Sequence, residues 1–166
     1  MDWKKLVEIL KGHKVYIQTH NYPDPDAMAS GLGLQVFLKQ HGVESTMCYD
    51  GKIEKLSTKR MLDVFQFEIY NIEDISDMSA TDYIVTVDAQ KFNANITDFI
   101  GDEVACIDHH PTFIQCEYQY KDIRLVGACA TLVAQYFKES GTPIDSNTAT
   151  ALLYGMKIDT DSWSRG

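Results

Sequence analysis

Residues 20–30, HNYPDPDAMAS, place one imidazole and two carboxylates, His20, Asp24 and Asp26, within seven positions. Pro23 and Pro25 stiffen the chain between them. A proline disfavours the helical region for the residue before it, so Asp24 is expected to be extended. Two acidic groups this close repel each other unless a cation lies between them. Mixed imidazole and carboxylate ligands suit a divalent transition metal such as Mn²⁺. A plainer role competes with this one: a polar turn in which Asp24 or Asp26 caps the next helix. Two more places carry similar chemistry. The apolar run 83–87 ends in Asp88, and the run 104–107 ends in Asp108, His109 and His110.

The elements that must position these groups follow from periodicity. Trp3, Leu6, Val7 and Leu10 recur at helical spacing over residues 2–11. Residues 15–17 read as a first strand, 28–40 as a helix closed by Gly42, and 43–49 as a second strand. In the 28–40 helix, Gly31 and Gly33 are expected to allow close packing, under the His20 loop or simply against a strand. A helix is expected over 54–66, where Lys55, Lys59 and Arg60 form a positive patch, a solvated face or a phosphate contact. A short strand at 67–70, a short helix at 93–100 and an exposed or edge strand at 116–120 are also expected. Helices over 128–140 and 146–154 complete the chain, with Asp159 beyond the last of them. Runs 83–87 and 104–107 have the near-continuous apolar pattern of buried parallel strands. The alternation of strands and helices predicts an α/β fold with a mostly parallel central sheet flanked by helices. Parallel strands bring their carboxyl ends to one rim, where open α/β sheets place ligands. His20 with Asp24 and Asp26, then Asp88, then the 108–110 run would therefore converge.

Composition narrows the function class. A chain of 166 residues, 45% hydrophobic and 23% charged, suits one soluble domain able to bury a core. Its apolar runs are far short of a bilayer span, and its amphipathic start has no cleavable signal pattern, so the cytoplasm is the expected location and no membrane partner is expected. The formal net charge of −9 argues against a broad basic platform for duplex nucleic acid. Cys48, Cys106, Cys116 and Cys129 are widely spaced, without a zinc pattern, and are expected to be reduced core residues. His13, in a turn, and His41, at a helix end, match no motif.

Taken together, four stretches resemble the signatures of the DHH family of phosphoesterases: HNYPDPDA (20–27), VTVDAQ (85–90), CIDHHP (106–111) and GMKIDTDSWSRG (155–166). They occur in the family's order, and the resemblance extends over nearly the whole chain. The DPDA form, the segment 128–137 and the terminal SRG are similar to the branch that includes oligoribonucleases, 3′-phosphoadenosine-5′-phosphate phosphatases and exopolyphosphatase-related proteins.

The resemblance implies a DHH-type domain over 1–166 with two divalent ions, most simply Mn²⁺, with Mg²⁺ or Co²⁺ as alternatives. It implies that His20 and Asp24 bind one ion, that Asp26, His109 and Asp159 bind the other, and that Asp88 bridges them. His110 would face the substrate, Asp108 would orient the imidazoles from behind, and Arg165 is a candidate phosphate contact. The implied reaction is hydrolysis of small phosphodiesters or phosphomonoesters by a metal-bridging hydroxide. Short oligonucleotides, cyclic dinucleotides and 3′-phosphoadenosine-5′-phosphate are the expected substrates. Pyrophosphate or polyphosphate hydrolysis is the alternative, and a non-catalytic metal- or nucleotide-binding regulatory module is the rival of another class. A homodimer is compatible with either. The chain departs from the family in two ways. Asn stands one residue after His20, with Tyr22 in its usual place, and the family's C-terminal substrate-binding domain is expected to be missing.

Overall fold

The computed structural model describes residues 2–160. Six strands form one parallel sheet in the order β3-β2-β1-β4-β5-β6. They are β1 (Val15–Gln18), β2 (Ser45–Tyr49), β3 (Tyr70–Asn71), β4 (Tyr83–Val87), β5 (Asp102–Asp108) and β6 (Tyr120–Ile123). Five helices accompany them: α1 (Trp3–Leu10), α2 (Pro25–Gln40), α3 (Leu56–Phe65), α4 (Cys129–Ser140) and α5 (Ser146–Asp159). The fold is α/β, as the alternation of elements predicts.

The chain builds outward from β1 to β3, then returns to the other side of β1 to build β4, β5 and β6. The order therefore reverses between β1 and β4, which pair directly, with Val15 beside Tyr83 and Gln18 beside Thr86. Beyond such a reversal the connections diverge and leave a crevice at the strands' carboxyl ends. His20 follows β1 there, and Asp88 follows β4.

Alternation within the strands divides the interior in two. Val15, Ile17, Met47, Val85, Val87 and Ile107 join the buried residues of all five helices in the main core. On the other face, Tyr16, Cys48 and Ile84 pack with Phe99 and are covered by Ile72, in a single 3-10 turn, and by Ile75 and Met78 rather than by an α-helix. Helix α2 is central to the main core. Its residues from Pro25 to Leu34 are all buried, as expected of a helix covered on every side. A side chain at Gly33 would meet Leu152 and Val133, each 2.9 Å from its Cβ, so this glycine permits helix–helix contact with α5 and α4.

Three expectations are corrected. Residues 93–100 form turns rather than a helix. Thr97 there is tied to Asn21 and Asp50 by side-chain hydrogen bonds, which compete with a helical ladder. The edge strand at 116–120 lies later, at Tyr120–Ile123, paired in parallel with β5. Tyr118 and Cys116 instead brace the backbone of Lys91. The last helix does not stop at residue 154 but runs to Asp159, so that carboxylate belongs to its final turn. The four cysteines are unpaired and three are buried. Among the described residues, no helix is long and apolar enough to cross a membrane.

Candidate metal centre

The loop leaving β1 turns directly into α2. Asp24 is extended (φ −98°, ψ 177°) and is the N-cap of that helix, its Oδ1 accepting the Ala27 N–H at 3.0 Å. The same oxygen lies 3.5 Å from His20 Nε2, and Asp88 Oδ2 is also 3.5 Å from that nitrogen. The His20 ring is oriented from behind by its other nitrogen, Nδ1, 2.8 Å from the Asn21 carbonyl. Asp88 leaves β4 with φ 60°, a left-handed conformation that Asp adopts more readily than most residues.

Asp26, in the first turn of α2, is buried and reaches across the fold. Its two oxygens accept the Cys129 and Ala130 N–H groups at 2.9 Å each, at the start of α4. Asp26 Oδ2 also lies 3.5 Å from His109 Nε2. That nitrogen is 3.1 Å from Asp88 Oδ1 and 3.6 Å from Asp159 Oδ2. The His109 ring is again held from behind, with Nδ1 2.9 Å from the Val126 carbonyl. With Nδ1–H donated to a carbonyl, each imidazole presents Nε2 as its ligand atom.

Three overlapping groups of potential ligand atoms result: His20 with Asp24 and Asp88, Asp26 with His109 and Asp159, and Asp88 with Asp108, His109 and His110; the first two hold the residues the motifs single out as ligands. Asp88 touches both, because its two oxygens face His20 and His109 separately. Among the described residues, buried Asp88 Oδ1 and His109 Nε2 have no aligned hydrogen-bond partner, although they lie 3.1 Å apart. Spacings of 3.1–3.6 Å are long for charged hydrogen bonds and suit neighbouring ligands of one divalent ion. The donor set is therefore a chemical fit for such ions.

The electrostatics of the cluster agree. Burial, then the nearby Asp88 charge, pushes Asp26 well above the usual carboxylate range. The same two causes, in the same order, raise Asp159. Burial alone would lower His20, but Asp24 and Asp88 outweigh it and raise the ring to about 11. His109 rises to about 9, because Asp88 and the Val126 carbonyl overcome its burial. Protons on the imidazoles thus offset the crowded negative charge, and cations would compete for the same places.

His110 and Asp108 form a separate arm. Asp108 is fully buried, and its Oδ1 lies 2.7 Å from His110 Nδ1. That contact raises the His110 pKa. The His110 side chain stays 47% exposed at the mouth of the site. Asp108 orients His110 alone, since Val126 holds His109, which narrows the expectation that it serves both imidazoles. Gln90, which drew no attention in the sequence, steadies this arm through its Nε2 donor, to Asp108 Oδ2 at 2.8 Å and to the His110 carbonyl at 3.0 Å. Its place two residues after Asp88, within VTVDAQ, was the available signal. The Val126 carbonyl had none. Arg165 lies outside the described residues.

The chain is similar to known proteins over most of its length. A family model described as "DHH family, N-terminal domain" matches residues 14–156. The chain belongs to the DHH family. An uncharacterized protein of Methanocaldococcus jannaschii, MJ1633, is 34% identical over 150 residues, covering 90% of this chain and 31% of that protein. A probable manganese-dependent inorganic pyrophosphatase of Streptococcus thermophilus is 27% identical, over 89% of this chain and 48% of its own. A solved structure of an exopolyphosphatase-related protein from Bacteroides fragilis shares the fold, with a TM-score of 0.74 at 20% identity, over 98% of this chain and 50% of that one. This chain therefore spans between 31% and 50% of the length of these relatives.

Proposed function

We propose that this domain is the catalytic part of a phosphohydrolase that uses two divalent ions, most simply Mn²⁺, to hydrolyse small phosphodiesters or phosphomonoesters. The observation that carries the reading is the pair of ligand groups sharing Asp88 at the reversal of strand order. His20, Asp24 and Asp88 would hold one ion, and Asp26, His109, Asp159 and Asp88 the other. Such ions, when bound, supply positive charge to phosphoryl oxygens and make a water easier to deprotonate. The chain supplies the rest. Asp24 and Asp26 are fixed by the helices they cap, and two backbone carbonyls fix the imidazoles. His110, braced by Asp108 and open to solvent, would hold a proton on Nε2 for a phosphoryl or leaving oxygen.

Short oligonucleotides, cyclic dinucleotides and 3′-phosphoadenosine-5′-phosphate are the proposed substrates. Pyrophosphate is the second reading, favoured by the manganese-dependent pyrophosphatase relative. Elemental analysis with Mn²⁺ titration tests the site, and two ions per chain are expected. Less than one ion under saturating Mn²⁺ at neutral pH would overturn the proposal. Competing substrates then separate the classes, since turnover of pyrophosphate without any dinucleotide would favour the second reading.

A further inference from the structure

Beside the cluster, an open groove of about 410 Å³ starts where the two substrate readings would diverge. Its floor includes Ala89, the residue after Asp88, and one wall is His110, whose Nδ1 is 3.9 Å from Asp88 Oδ1. A group attached to a phosphate at the cluster, on the His110 side, would enter this groove. Pro111, Phe113, Ile114 and Ala94 make it largely apolar. Among the described residues no lysine or arginine lines it, so they make it a poor place for a second phosphate. A nucleobase suits it better, because every base has a flat π-face that stacks on an aromatic ring. Phe113 is 82% exposed, an apolar ring left open to solvent at the groove.

The rim adds polarity of the right kind. Asn93 and Asn95 line the groove, and an amide offers both donors and an acceptor, as the edge of a heterocycle requires. Among the described residues, neither side-chain amide has a hydrogen-bond partner. The Asn95 backbone is already engaged, its carbonyl accepting the Asn21 N–H at 2.7 Å. Asn21 in turn bonds Thr97 through its side chain. The residue that departs from the family pattern thus ties the groove's rim to the His20 loop.

We infer that the groove between residues 93–95 and 111–114 is a base subsite for the group attached to the phosphate, and that the domain acts on nucleotide phosphoesters in preference to pyrophosphate. The inference rests on the phosphohydrolase reading above. Calorimetric titration of the Mn²⁺-loaded chain with adenosine 5′-monophosphate, ribose 5-phosphate and inorganic phosphate tests it. The nucleotide is expected to bind about tenfold more tightly than ribose 5-phosphate, within the range of one stacked base. Phe113→Ala, and Ala94→Glu to fill the groove with a carboxylate, should each erase that advantage while inorganic phosphate still binds. Both positions are exposed, so neither change removes core. Equal binding of the two sugar phosphates, or equal weakening of all three ligands by the variants, would overturn the subsite and leave the phosphohydrolase reading standing. No binding of any phosphate would overturn both. A dimer dispersed by Ala94→Glu would put a second copy in the groove and overturn the subsite.

Discussion

Gly155 provides the sharpest test of how the second ligand group is assembled. It lies where α5 crosses the start of α2. A Cβ there would sit 2.7 Å from Ala29 Cβ, 3.2 Å from the Pro25 carbonyl oxygen and 3.3 Å from Asp26 Cα. Two of those neighbours are backbone atoms of the turn that carries Asp24 and Asp26, so they cannot rotate away. Gly155→Ala should gain about 1 kcal/mol in helix propensity. Overpacking typically costs about 1–3 kcal/mol, and a backbone obstacle argues for the upper end. The expected net loss is about 2 kcal/mol, or a fall in Tm of about 4–8 °C for a chain of this size. Asp159 is one turn further along α5, with Oδ2 3.6 Å from His109 Nε2. Moving α5 outward should therefore weaken the Asp26–His109–Asp159 group and spare His20, Asp24 and Asp88. Thermal melts in chelator and Mn²⁺ titration read the two effects separately. A Tm that stays or rises, with two equally tight ions, would show that α5 absorbs the methyl group and that this close approach does not set the position of Asp159.

Two further outcomes are expected. Asp88→Asn should lower Mn²⁺ affinity in both groups by more than the 10- to 100-fold typical of residues behind the ligands, about two orders of magnitude or more. One ion retained at full affinity would refute the shared carboxylate. Stability in chelator should fall with rising pH. His20 and His109 bind protons more tightly folded, at about 11 and about 9, than at the unfolded value of 6.5. Their contribution is therefore complete below pH 6.5 and is lost as pH rises through the two folded values. The raised carboxyls of Asp26 and Asp159 act in the same direction at lower pH. Mn²⁺ affinity should increase over the same range as ions displace those protons. A chelator melt with Tm rising from pH 6.5 to 9 would contradict these signs.

The sequence was most legible where one element's pattern is self-contained. The runs ending at Asp88 and Asp108 read as strands because they are almost continuously apolar, and burial on both faces needs that composition. It was least legible where side chains act across the fold. Residues 93–100 contain Ile96 and Phe99 at a helical interval, but Phe99 packs on the second face of the sheet and Thr97 binds the Asn21 loop. Residues 116–120 alternate like a strand, yet Cys116 and Tyr118 hold Lys91, and pairing with β5 begins only at Tyr120. Helix α5 passes Gly155 because the space beside α2 rewards a glycine there, and propensity alone gives the opposite expectation.

The competing roles weighed for Asp24 and Asp26, helix cap or ligand, turn out not to exclude each other. Asp24 Oδ1 caps α2 and faces His20 at once. Asp26 sits in the first turn of α2 and binds the first N–H groups of α4. Helix N-termini carry partial positive charge, so both carboxylates are held where part of their mutual repulsion is offset. Asp159 has no such support, being the last residue of α5, at the negative end of a helix. The site thus has two carboxylates whose position is fixed by backbone donors and one that depends on helix packing. That asymmetry is why Gly155 should matter to one ligand group and not the other. The sequence could suggest the first cap, which is local. It could not suggest the second, because Asp26 and Cys129 are 103 residues apart.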